Sequence, residues 1–230
     1  MRKVLINHVL LIISVLTVMS CHRVVIVVDE VPENTPPGEV IYFASNLNKW
    51  DPGDERYQLE LNTDSTWQIS LPSGFGEIEY KFTRGGWLSV ETDRCGKDID
   101  NRTFLIQKDD TIHHRIESWH DQFPLKCEGV VLILDQIPEN TPPDADIYFV
   151  SSMRDWWIYD KNYLMKRNAE GLYELRIPRR TGEDIEFKFN RGPWSTVEVD
   201  EEGNDIENRH MTIGNADTLY FKIERWKDRR

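Results

Sequence analysis

Positive charge is in short supply: 28 Lys and Arg stand against 40 Asp and Glu, a net charge of −12. A chain this acidic repels phosphate backbones, which argues against a general nucleic-acid binder. No apolar run after residue 20 is long enough to cross a bilayer, and no useful helical periodicity follows it either. The nucleophile elbow Gly-x-Ser-x-Gly, the zinc motif His-Glu-x-x-His, a Cys-x-x-Cys pair and a phosphate-cradling glycine loop are all missing. His113 and His114 are adjacent on a strand, so they face opposite sides and cannot share a metal. Glu91 with Asp93, and Glu198 with Asp200, are same-face carboxylate pairs. Side by side on one strand, neither pair can flank a scissile glycosidic bond as a hydrolase requires. The acidic turn Asp200–Asp205 lacks the bidentate Glu of a calcium loop and reads as a solvated hairpin. No cofactor or metal is expected, and the chain does not read as an enzyme.

What the chain has is 39% apolar residues, 30% charged residues and eight tryptophans in 230. The first two figures are ordinary for a globular protein. The third asks whether the indoles fill a core or serve a surface. Residues 1–20 read as a leader: Arg2 and Lys3, an apolar stretch from Val4 to Val18, then Val18-Met19-Ser20-Cys21. That ending resembles the lipobox of bacterial lipoproteins, which implies lipid on Cys21 and membrane attachment through that anchor alone. The expected location is the bacterial cell envelope. Cys95 and Cys127 then remain, either bridged or as two free thiols, since an exported chain permits both.

The rest of the chain is one unit written twice. Val31-Pro32-Glu33-Asn34-Thr35-Pro36-Pro37 returns 106 residues later as Ile137-Pro138-Glu139-Asn140-Thr141-Pro142-Pro143, and Trp50 returns as Trp156. One inserted residue then moves the offset to 107: Glu79-Tyr80-Lys81-Phe82-Thr83-Arg84-Gly85 matches Glu186-Phe187-Lys188-Phe189-Asn190-Arg191-Gly192, and Trp87 matches Trp194. Asp98-Ile99, Asn101-Arg102 and Trp119 likewise match Asp205-Ile206, Asn208-Arg209 and Trp226. A period near 100 means tandem domains rather than a solenoid. The expected division is a first domain at 21–122, a linker at 123–129 and a second domain at 130–230.

Within each unit the signals are β. Ile78, Tyr80 and Phe82 alternate with Glu79, Lys81 and Thr83, predicting a strand with the first three inward and the second three outward. About seven short strands per unit, separated by Pro, Gly and Asp/Asn clusters, predict an all-β fold of two tandem Ig-like β-sandwiches. Trp67, Trp119 and Trp226 read as packing residues. Trp50, Trp87, Trp156 and Trp194 sit in polar company and are surface candidates, with Trp157 as a substitute for Trp156. Arg102 and Arg209 are expected to pair with carboxylates such as Glu91 and Glu198.

Asn48-Lys49-Trp50-Asp51-Pro52, Glu79-Tyr80-Lys81-Phe82-Thr83-Arg84-Gly85-Gly86-Trp87 and Asp100-Asn101-Arg102, in this order and repeated, resemble the starch-binding modules of carbohydrate-binding module family 20. They also resemble the glycogen-binding domains of family 48 and of AMP-activated protein kinase β subunits. The resemblance covers nearly all of each repeat and implies non-catalytic binding of α-glucan. It implies site residues Trp50, Lys81 and Trp87 in the first repeat and Trp156, Lys188 and Trp194 in the second. Asn101 and Asn208 follow as polar contacts. The competing expectation is an envelope scaffold whose Ig-like domains contact a partner protein.

Overall fold

The structure is a computed structural model and describes residues 23–71, 74, 76–106 and 109–229. The leader and Cys21 lie outside these residues. Among the described residues every regular element is a strand or a 3₁₀ turn, and each half of the chain contributes nine short strands. In the first half Glu60–Leu61, Trp67–Leu71, Val24–Glu30 and Asp110–Arg115 form one sheet in that order. Tyr42–Ser45, Gly76–Thr83 and Arg102–Ile106 form the second layer. The second half repeats this arrangement, but there Leu164–Arg167 pairs with both Ile147–Ser151 and Tyr173–Pro178 and joins the layers into seven strands. In each half the first strand runs antiparallel to one neighbour and parallel to the last long strand. The fold is all-β, built of Ig-like sandwiches.

Alternation drives burial as the sequence predicts, with one exception. Ile78, Tyr80 and Phe82 face inward and join Ile26, Val28, Phe43 and Trp119 in one core; Ile185, Phe187 and Phe189 join Leu132, Phe149 and Trp226 in the other. Thr83 and Asn190, expected outward, are fully buried. The end of the strand is roofed by the following loops, and the Thr83 hydroxyl donates to the Pro52 carbonyl at 2.5 Å.

The repeated motifs explain themselves as core hardware. Trp119 and Trp226 are fully buried, and their indole N–H groups donate at 2.8 Å to Thr35 and Thr141 of the Pro-Glu-Asn-Thr-Pro-Pro loops. A buried indole needs such an acceptor. Arg84 and Arg191 lie over these indoles, 5.2 and 5.0 Å from the ring centroids, and pair with Asp121 and Asp228. Trp67 is half-buried and packs against the first core.

The halves are tied together. Cys95 and Cys127 form a disulfide with Cα atoms 4.8 Å apart, so the bridge is the realised alternative. Asn162 Nδ2 donates to the Asp121 carbonyl at 3.1 Å, Arg180 Nε to the Cys95 carbonyl at 3.0 Å, and Arg154 Nη1 to the His120 carbonyl. The first strand of the second half, Gly129–Gln136, begins at the last residue of the expected linker 123–129.

One difference between the cores is titratable. His114 and Tyr80 stand where the second half has Phe221 and Phe187. Arg102 Nη1 lies 3.2 Å from His114 Nδ1, so that nitrogen accepts; Nε2 then donates to the Tyr80 hydroxyl at 2.6 Å. Burial, and then the facing guanidinium, push the imidazole down to about 4. An unfolded histidine takes its proton near pH 6.5, so the folded state resists a proton that the unfolded state accepts. This contribution to stability is complete above that pH and is lost as pH falls toward 4. Replacing the pair by its second-half counterpart, Tyr80→Phe with His114→Phe, should flatten the fall in unfolding midpoint between pH 6.5 and 4. Chemical denaturation of both proteins across that range checks it.

Candidate functional site

The loop carrying the first indole is built by its own polar residues. Ser45 caps the turn Asn46–Asn48, accepting from the Leu47 N–H at 3.2 Å, and Asn48 Oδ1 accepts from the Ser45 N–H at 2.8 Å. The chain then passes through two consecutive left-handed residues, Lys49 and Trp50 (φ 58° and 62°), and the Trp50 N–H closes the loop onto the Ser45 carbonyl at 2.8 Å. Non-glycine residues adopt that conformation at a cost of about 1–3 kcal/mol each, and such strain clusters at functional sites. The second half repeats it with Asp155 and Trp156 (φ 49° and 60°). There Arg154 replaces Asn48; it is buried, donates to Asp160 at 2.8 Å and reaches across to the first half.

The second indole of each pair opens a short 3₁₀ turn, Trp87–Ser89 or Trp194–Thr196, after a glycine whose positive φ (93° at Gly85, 111° at Gly192) reverses the chain. Pro193 precedes Trp194 where Gly86 precedes Trp87, yet the two turns deliver their indoles alike. Trp50 and Trp87 stand 6.4 Å apart at 40°, and Trp156 and Trp194 stand 6.3 Å apart at 46°. Trp87 and Trp194 are 45% and 44% exposed, so these are open platforms rather than core stacks. Trp157, expected as a substitute for Trp156, stays outside the pair.

Each platform floors a shallow cavity with the sequence-predicted lysine and asparagine in its wall. The first, about 360 Å³, gathers Trp50, Lys81, Trp87 and Asn101. The second, about 420 Å³, gathers Trp156, Lys188, Trp194 and Asn208. All eight predicted residues therefore converge, four to a site. The lysines are not wholly free: Lys81 donates to the Ile99 carbonyl, and Lys188 to the Ile206 and Glu207 carbonyls at 2.6 and 3.3 Å. An ammonium has three N–H bonds, so each retains at least one for a ligand. Burial lowers the Lys188 pKa from its ordinary value. Asn101 and Asn208 are oriented by donating to Glu79 and Glu186 at 3.1 and 2.9 Å.

Sequence reasoning missed four polar residues in the walls: Asp98 and His120 in the first site, Asp205 and Lys227 in the second. His120 lies 3.7 Å from Asp98, and Lys227 pairs with Asp205 at 2.6 Å. The signal was available, since Asp98 and Asp205 occupy matching positions and His120 and Lys227 each follow the buried Trp of their repeat.

The carboxylates that might have suggested hydrolysis are engaged elsewhere. Glu91 is buried and bound by Arg102 at 2.8–3.1 Å, and Glu198 is buried and bound by Arg209 at 2.7–3.0 Å, as expected of the Asn-Arg motif. Asp200 accepts from the Asn204 backbone at 2.7 Å, which makes the acidic segment a hydrogen-bonded turn. Its pKa is lowered by that bond. Among the described residues no cluster of three or more metal-ligating side chains occurs.

No protein-family model matches the chain. It is 37% identical over 93 residues to an α-amylase of Niallia circulans, a match covering 40% of this chain and 7% of that enzyme. It is 29% identical over 123 residues to an amylopullulanase of Thermoanaerobacter thermohydrosulfuricus, covering 51% of this chain and 8% of that one. The chain thus spans under a tenth of the length of these curated relatives. Among solved structures it is similar to CBMbc (family CBM26) of Eubacterium rectale Amy13K in complex with maltoheptaose, at 12% identity and TM-score 0.27 over 87% of this chain and 91% of that one. It is also similar to a streptococcal ancillary pilin, at 9% identity and TM-score 0.37 over 89% and 63%. At such scores neither likeness bears on what this chain binds.

Proposed function

We propose that the chain binds α-glucan (starch, glycogen or malto-oligosaccharide) without cleaving it, through two equivalent sites. The observation that carries this reading is a pair of indoles, one half-buried and one exposed, angled at 40° or 46° beside a lysine and an asparagine and built twice in the same way. A glucose ring offers an apolar C–H face and a rim of hydroxyls. An indole covers the face, and the helical curvature of an α-1,4-glucan lets two tilted indoles each take a ring. The lysine donates to hydroxyl oxygens and the asparagine can donate or accept. Neutral sugars also suit a chain whose net charge is −12. The matched stretches of an α-amylase and an amylopullulanase, together with the resemblance to family 20 and 48 modules, support the same ligand class.

One shallow site of this kind is weak. Two joined sites raise avidity by about 10²–10⁴ when one polymer spans both. The disulfide and the hydrogen bonds between the halves favour this by holding the sites at fixed separation. The reading includes export and a lipid anchor on Cys21, which rest on residues 1–21; Cys21→Ala should release the protein from the membrane fraction. Sedimentation with insoluble starch tests the function: the protein should pellet with starch and be released by maltoheptaose. A folded protein that stays in solution would instead favour a scaffold that contacts other proteins.

A further inference from the structure

Between the two sites lies a third cavity, of about 290 Å³, lined by Leu88, His120, Arg154, Asp155 and Trp157. Its volume is near the lower end for small-molecule sites, roughly 300 Å³. It is assembled from both halves. Leu88 follows Trp87 of the first site, while Asp155 and Trp157 flank Trp156 of the second. His120 lines both this cavity and the first site, and its Nε2 lies 3.7 Å from the Asp155 carboxylate.

Trp157 has no counterpart in the first half. The matching residue is Asp51, whose carboxylate accepts from the Gly53 N–H at 3.1 Å and serves the turn. In the second half a 48% exposed indole stands there instead, beside a 71% exposed leucine. No core requires either side chain. With the first Trp-pair site the arrangement shares an indole face, a carboxylate that accepts from hydroxyls and an imidazole able to donate or accept. Arg154 fixes the floor through Asp160 and the His120 carbonyl.

Resting on the α-glucan reading, we infer that this cavity is a third subsite, where one glucan chain leaving the Trp50–Trp87 platform passes His120 and lays a glucose ring on Trp157. The two sites then belong to one track rather than two isolated patches. The occupant is glucan because the cavity shares His120 with the first site and sets an exposed indole beside a carboxylate, as that site does.

The test compares short and long ligands on the full chain by titration calorimetry. Maltotriose is short enough to report single sites, while a maltodextrin of a dozen or more units can follow the track. Trp157→Ala should leave maltotriose affinity unchanged and weaken the long ligand by about tenfold, with Trp157→Phe between the two. Unchanged unfolding midpoints in both variants show that the scaffold is intact. Long-ligand affinity unaltered in Trp157→Ala would overturn the subsite while leaving the two-site reading standing. No binding of either ligand by the unmodified chain would overturn both. A change of oligomeric state in Trp157→Ala, with glucan affinity unchanged, would reassign the cavity to contact between copies of the chain.

Discussion

Trp50→Ala combined with Trp87→Ala should eliminate maltoheptaose binding from the first half, taking the stoichiometry in titration calorimetry from two to one. Each indole is worth roughly 1.5–3 kcal/mol when a ring covers it, by the scale for burying a large apolar side chain. A single substitution should therefore weaken its own site by about tenfold to a hundredfold. Trp87→Ala should act most cleanly, because that side chain is 45% exposed and opens a turn held by backbone bonds. Trp50→Ala acts on a residue held at φ 62°, where alanine is as strained as tryptophan, so the loop keeps its strain and loses only the platform. Trp156→Ala with Trp194→Ala should silence the other half in the same way. Loss of both sites by substitutions in one half would mean that the halves do not bind independently.

The largest effect on stability is expected at Glu91 and Glu198. Glu91 accepts from Arg102 and from the buried Phe82 N–H at 2.9 Å; Glu198 accepts from Arg209 and from the Phe189 N–H at 2.9 Å. Both carboxylates are shielded from water, whereas the guanidiniums are partly exposed. Alanine at either position leaves a guanidinium without its partner and a buried N–H without an acceptor. Removing one member of a buried pair costs about 3–5 kcal/mol. Denaturant unfolding should show that loss for Glu91→Ala and Glu198→Ala, with glutamine milder because it keeps an acceptor for the N–H. A change below about 1 kcal/mol would mean that the pair contributes specificity rather than stability.

Periodicity and repetition made most of this architecture readable in the sequence. The strand Gly76–Thr83 followed from alternation, and the second copy showed which residues in it belong to the plan. The same duplication picked out the indoles, the lysines and the asparagines, because each recurred at a fixed offset. Burial of Thr83 was not legible, since it depends on Pro52 arriving from a distant loop. The lysine contacts with the Ile99 and Ile206 carbonyls were hidden for the same reason. Pairing of Cys95 with Cys127 required knowing how the halves pack, which no local pattern encodes. Trp157 shows the converse difficulty: repetition favours what the copies share, so a residue peculiar to one copy reads as a stand-in for its neighbour.

The central claim is that four particular indoles hold sugar, and the indole N–H resonances of the eight tryptophans report on each directly. Adding maltotriose to the ¹⁵N-labelled protein should shift the signals of Trp50, Trp87, Trp156 and Trp194 in a saturable way. Those of the buried Trp119 and Trp226 should stay in place. Indole signals that do not respond to any α-glucan, in a protein whose dispersed spectrum proves it folded, would contradict the assignment.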